Sequence, residues 1–179
     1  MKVFQRPGTW ASMFAIFSFL FAIPASSQEK KLSDAEIASI AVTANRVDIN
    51  AGELAKTKSK NKEVINFANT MINDHKAVIA QAVALVTKLK VTPKDNAVSK
   101  KLLADAENTN KMLRAKSGKQ FDKAYIDNEV AYHKAVIATV ETVLVPQSEN
   151  AELKQLLQNV LPALRTHLEH AEMLQKNYK

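Results

Sequence analysis

Four side chains that could bind a metal or move a proton interrupt otherwise apolar stripes in this sequence. Asp48 lies between Ala44 and Ala51, His75 between Met71 and Val78, His133 between Val130 and Ile137, and His167 between Leu164 and Ala171. Spacings of three and four residues mark one face of a helix, so each of the four should travel inward with its face. Asp74, Glu129 (four before His133) and His170 (three after His167) flank them. A carboxylate or imidazole carried out of water costs free energy unless it finds a partner. Two arrangements satisfy that demand. The groups can hydrogen-bond one another as Asp–His and Glu–His pairs, or they can hold a divalent transition metal. Zinc, iron, manganese and copper(II) all suit such hard and borderline donors.

Inward acids and histidines from several helices are how bundle metal sites are built. The di-iron version places a glutamate on each of two helices and Glu-x-x-His on each of the other two. This chain has Met71-x-x-x-His75, Glu129-x-x-x-His133 and His167-x-x-His170 instead, which does not support a standard di-iron ferroxidase centre. Height along the bundle gives a further expectation. Turns near Lys60 and Gln147 would set Asp48 and His75 at different heights along the bundle and His167 level with Glu129 rather than with His133. On that count Glu129, His133, His167 and His170 form the most compact ligand set, with Asp48 and His75 as outlying members. No catalytic residue is assigned. Cysteine is absent, and no serine sits at a tight glycine turn of the kind a nucleophile elbow needs. Tyr125 and Tyr132, close to Glu129 and His133, read as core aromatics with a bonded hydroxyl.

The elements that must position these groups are long helices. From residue 28 onward there are two glycines, Gly52 and Gly118, and three prolines, Pro93, Pro146 and Pro162, among abundant Ala, Leu, Lys, Glu and Gln. Ser33-Asp-Ala-Glu36 is a capping box that opens the first helix. It ends in the lysine-rich stretch Lys56 to Lys62, which reads as a solvated hairpin tip. A second helix runs from about Asn61 to Lys90 and stops before Pro93. A shorter one, about Ala97 to Lys116, is expected within a crossover, with Gly118 as its C-terminal cap. The next runs from about Phe121 to Val145 and ends at Pro146. The last opens on Asn150 and contains Pro162, which should kink it. None of the four long helices can bury its stripe alone. The fold class is therefore all-α: a ferritin-like four-helix bundle of two hairpins joined by a crossover containing a short extra helix. The hexapeptide His75-Lys-Ala-Val-Ile-Ala80 recurs as His133-Lys-Ala-Val-Ile-Ala138, which sets both histidines in line with the same apolar pair.

Residues 1–27 have the layout of a signal peptide: Lys2 and Arg6, an apolar run from Trp10 to Ile23, then Ala25-Ser26-Ser27. The expected product is one domain, residues 28–179, with 23 basic and 18 acidic side chains. It would be free in the periplasm or outside the cell and not transmembrane after cleavage. Its mild positive charge would allow weak contact with anionic envelope surfaces. An exported protein without basic runs interleaved with aromatics has no evident business with nucleic acid.

Three segments carry a resemblance: Asn66-Phe-Ala-Asn-Thr-Met-Ile-Asn-Asp-His75, then Gly118-Lys-Gln-Phe-Asp-Lys-Ala-Tyr125 with His133 following, then Leu161-Pro-Ala-Leu-Arg-Thr-His167-Leu. In this order they resemble the bacterial domain-of-unknown-function family 4142, over about Asp34 to Leu174. Its members are often labelled predicted outer membrane proteins and placed with ferritin-like bundles. The resemblance implies export, that bundle, and a special status for Asp74, His75, His133, Pro162 and His167. It supplies no reaction. The outer-membrane label finds no barrel alternation in the residues, and Asp48 stands where the family usually has a glutamate. Two functions are therefore expected from the sequence. The first is a non-enzymatic envelope or stress-associated protein that binds an envelope component or protein partner. The alternative is a metal-binding or redox ferritin-like protein using Glu129, His133, His167, His170, Asp48 and His75.

Overall fold

The computed structural model describes residues 31–178, so the signal-peptide reading of residues 1–27 lies outside the described residues. All regular structure among the described residues is helical. Helix α1 spans Asp34–Lys58, α2 Lys62–Lys88, α3 Ala97–Arg114, α4 Gly118–Thr139 and α6 Ala151–Gln175. A π-helical segment, Val140–Leu144, and the short helix α5, Val145–Gln147, prolong α4.

The helix starts follow from local chemistry. Ser33 and Glu36 form the expected capping box, and Asn61, Asn96 and Asn150 each accept backbone N–H groups at the openings of α2, α3 and α6. Two expectations change. Gly118 does not cap α3, which ends at Ala115; it opens α4 at φ +52°, a conformation that disfavours any residue with a Cβ. Pro146 does not end the helix. It has no N–H for the Thr142 carbonyl, and the ladder upstream slips to i→i−5, with the Val145 N–H donating to the Val140 carbonyl. Pro162 lies inside α6 as expected, and the carbonyl it strands belongs to exposed Gln158, where water can satisfy it.

Helices α1 and α2 form one hairpin, and α4 and α6 the other. The hairpins pack with α2 on α6 and α1 on α4, while α3 returns along α1 on the outside. At Gly52 the helices of the first hairpin come close. An added Cβ there would lie 2.9 Å from Ile72 Cγ1 and 3.2 Å from the Ala68 carbonyl oxygen.

The core has two apolar ends. Toward the α1–α2 turn, Phe67, Met71, Leu113, Phe121, Tyr125 and Ala171 pack together. Toward the other end lie Ile37, Ile40, Val140, Leu144, Leu153 and Leu157. A polar layer separates them. No helix among the described residues is long and apolar enough to cross a membrane.

Candidate metal centre

That layer gathers Asp48 from α1, His75 from α2, Glu129 and His133 from α4, and His167 from α6, all at most 5% exposed. His75, His133 and His167 form a triangle, with ring centroids 5.3 Å, 5.5 Å and 5.8 Å apart. Asp48 Oδ2 stands 3.1 Å from His75 Nε2 and 3.5 Å from His133 Nε2. Glu129 Oε2 lies 3.6 Å from His133 Nδ1.

The structure closes the height gap that separates Asp48 from His75 in a count of residues. Side chains of a helix lean toward its N-terminus. Asp48 therefore leans away from the α1–α2 turn while His75, deeper on the returning strand of the hairpin, leans back toward it. The same geometry in the second hairpin brings His133 and His167 together. His170 is not part of the layer. Three residues beyond His167 it sits nearly a turn higher and rotated aside, where its ring meets the edge of Phe67 at 5.1 Å. Pro162, five residues before His167, is exposed and outside the cluster as well.

Hydrogen bonds on the outer side of the triangle fix the proton on each ring. Asn45 uses its amide nitrogen to donate to the Ala41 carbonyl at 2.8 Å, which turns Oδ1 toward His75. His75 Nδ1 then donates to that oxygen at 2.7 Å. His133 Nδ1 donates to the Glu129 backbone carbonyl at 3.0 Å, and His167 Nε2 to the exposed Asp74 carboxylate at 2.9 Å. What remains on each ring is a bare nitrogen. His75 Nε2, His133 Nε2 and His167 Nδ1 are all buried without a hydrogen-bond partner, as are both carboxylate oxygens of Asp48. Nearby, Tyr132 donates its hydroxyl to the Ala44 carbonyl at 2.8 Å, and the buried Tyr125 hydroxyl lies against the Glu129 carboxylate.

Electrostatics follow from this burial. Desolvation holds the His133 imidazole below its ordinary pKa against the attraction of Asp48. It lowers His167 in the same way, against its bond to Asp74. Burial would raise Asp48, but a hydrogen bond from His75 and the positive charge that His75, His133 and His167 gain on protonation outweigh it and hold the carboxylate below its ordinary pKa. Glu129 is pushed well up, first by burial and then by the charge of Asp48. The Asp48 carboxylate and the inner nitrogens of His75 and His133 need a cation between them, and a shared proton or a metal ion can supply it.

The donors fit a metal ion. His75, His133 and His167 each offer a nitrogen within 4.8 Å of the other two, and Asp48, Glu129 and His133 make a second set of the same compactness. Donors of a tetrahedral site with bonds of 2.0–2.1 Å stand about 3.4 Å apart, and the Asp48 contacts of 3.1 Å and 3.5 Å match that spacing. Ligating histidines typically bind a carbonyl or carboxylate through their second nitrogen, which is the pattern here on all three rings. Sequence reasoning missed Asn45, whose signal was its place three residues before Asp48 on the same inward face.

The sequence model of the family described as "Domain of unknown function (DUF4142)" matches residues 22–174. No curated protein matches the chain. Two solved structures share its fold. One is a protein described as secreted, of domain family DUF305 from Streptomyces coelicolor, with TM-score 0.69 and 11% identity, covering 81% of this chain and 93% of that one. The other is described as CopM in the Cu(II)-bound form, with TM-score 0.63 and 12% identity, covering 84% of this chain and 100% of that one.

Proposed function

We propose that this chain, which belongs to the family described as "Domain of unknown function (DUF4142)", binds one divalent transition-metal ion through His75, His133 and His167, with Asp48 beside them. One observation carries this reading: three buried imidazole nitrogens converge without partners while the opposite nitrogen of each ring is bonded. Mutual hydrogen bonding accounts for the outer nitrogens, and on the inner side it offers only the Asp48 carboxylate, 3.1 Å from His75 Nε2 and 3.5 Å from His133 Nε2. Imidazole donors with one carboxylate suit copper(II), zinc, iron and nickel, and of these copper(II) binds most tightly to a given nitrogen site. The shared fold with CopM, described in its Cu(II)-bound form, makes copper(II) the first ion to try. We read the role as binding in an exported protein, since the layer is built of ligand residues.

The test uses the mature chain, purified without chelator or histidine tag. One copper(II) or zinc ion per chain, with a rise in melting temperature on loading, is expected. Replacing His75, His133 or His167 by alanine should abolish both while circular dichroism still reports the helices. No stoichiometric ion and no melting shift with copper, zinc, iron, nickel or manganese would sink the reading.

A further inference from the structure

Folding brings three separate segments of chain to one end of the bundle. Lys58 Nζ donates to the Arg114 carbonyl and stands 5.6 Å from the centre of the Phe121 ring, which ties the α1–α2 turn to the α3–α4 turn. Asn61 donates to the Tyr178 hydroxyl at 3.0 Å, which ties the end of α6 to the same place. Each segment carries cations: Lys60 and Lys62 on the first, Arg114, Lys116 and Lys119 on the second, Lys176 on the third. Lys116 is half-buried and the others are exposed, and none of them is ion-paired among the described residues. Acids nearby do little to offset them. Glu107 and Asp127 are taken by Lys111 and Lys123 of their own helices, at 2.8 Å and 2.6 Å. Exposed Glu63 and buried Asp122 return at most two of the positive charges. The opposite end is mixed: Lys31 and Lys88 are paired with Glu149 and Glu152, and Asp34, Glu36 and Asp95 lie among the remaining lysines.

We propose that this basic end docks the protein on an anionic lipid bilayer. The cations cap the blunt end of the helices instead of lining a cleft. Helices of about 10 Å diameter, packed two by two, make a face some 20 Å across, which meets several head groups at once. Each basic side chain near such a surface strengthens binding about fivefold. Met112, 47% exposed in the last turn of α3, adds an apolar contact beside Arg114. No helix among the described residues can cross a membrane, so the contact is peripheral. Nucleic acid is the other polyanion that cations could meet. Its single strands are held by aromatics on which bases stack, and here Phe121 and Tyr125 are fully buried while Tyr178 is half-buried and bonded to Asn61. The metal layer plays no part: Asp48 lies ten residues, about 15 Å, from the end of α1.

Vesicles of phosphatidylglycerol and phosphatidylcholine, mixed about one to three, are the probe. In co-sedimentation the mature chain should bind them at least tenfold more tightly than pure phosphatidylcholine, and lose most of that binding as salt shortens the Debye length from about 10 Å to about 3 Å. A triple variant with Lys60→Glu, Arg114→Glu and Lys176→Glu takes one cation from each segment and should weaken binding at least tenfold. The triple variant Lys90→Glu, Lys94→Glu and Lys100→Glu makes the same change in net charge at the opposite end and should keep it. Lys60→Ala alone, in an exposed turn, should weaken binding about fivefold, with circular dichroism unchanged. Equal binding to neutral vesicles, or equal loss in the two triple variants, would overturn the proposal. Tighter binding to a DNA duplex than to the anionic vesicles at the same salt would overturn the choice of a membrane. Metal stoichiometry should be the same in all these variants, so this proposal and the metal reading fail separately.

Discussion

Asn45 and His75 are joined Oδ1 to Nδ1 at 2.7 Å, and because the Asn45 amide nitrogen is committed to the Ala41 carbonyl, the histidine must be the donor. The proton on Nδ1 leaves Nε2 bare, 3.1 Å from Asp48. A residue with no place in the ligand set thus decides which nitrogen His75 offers. Asn45→Ala should lower copper or zinc affinity about tenfold to a hundredfold, the usual cost of losing such a partner. Asn45→Asp, which keeps the acceptor, should lose much less. Competition against a chromophoric chelator measures both, and equal affinity in all three proteins would refute the role given to Asn45.

His167 and His170 are separated by the same logic. Asp74→Asn weakens the acceptor of the His167 Nε2 proton, and metal affinity should fall by about tenfold. His170→Ala removes a ring packed on Phe67. It should cost some stability and leave metal affinity where it was. A loss of affinity in His170→Ala comparable to that of His167→Ala would show that the ligand set is wrong.

Without metal, stability should depend on pH through the histidines. Burial lowers His133 and His167 in the folded state. The unfolded chain therefore takes up protons near pH ~6.5 while the fold does not. Their contribution is complete above about pH 6.5 and is lost as pH falls through the folded values. Asp48, also depressed, adds a loss in the same direction at lower pH. Melting temperature should drop between about pH 7 and pH 5, and His133→Asn should flatten the slope. A flat profile in the unmutated protein would contradict the burial argument.

Glu129 acts with the opposite sign. Its folded pKa is raised well above the ordinary value by burial and by Asp48. The fold retains its proton where the unfolded chain releases it, so stability is full below about pH 4.5 and diminishes as pH rises toward the folded value. Glu129→Gln should raise the melting temperature of the metal-free protein at pH 7, with the gain vanishing near pH 4. Destabilisation by this variant at pH 7 would mean that the carboxylate is charged and needed.

Gly52 has a structural consequence that does not involve the site. Its Cβ would meet Ile72 Cγ1 at 2.9 Å and a backbone oxygen at 3.2 Å, neither of them the free end of a flexible side chain. Gly52→Ala gains helix propensity but overpacks the hairpin, and a net loss of about 1–3 kcal/mol is expected in denaturant unfolding. A stabilised variant would show that α1 and α2 separate at little cost.

The sequence alone was enough for the all-helical bundle, because caps such as Ser33–Glu36 and Asn150 and stripes spaced at three and four residues act within one helix. It also sufficed to turn Asp48, His75, His133 and His167 inward, since each sits between apolar residues on its own face. What it left open lay between helices. Counting residues from the turns kept Asp48 away from His75 and put His170 in the ligand set, since the count ignored the lean of side chains toward helix N-termini and the rotation between His167 and His170. The role of Asn45 in setting a tautomer and the gathering of cations from three segments at one end of the bundle depend on atoms from different helices meeting in space. Only the tertiary structure decided those, because periodicity fixes the face a residue occupies and says nothing of what faces it.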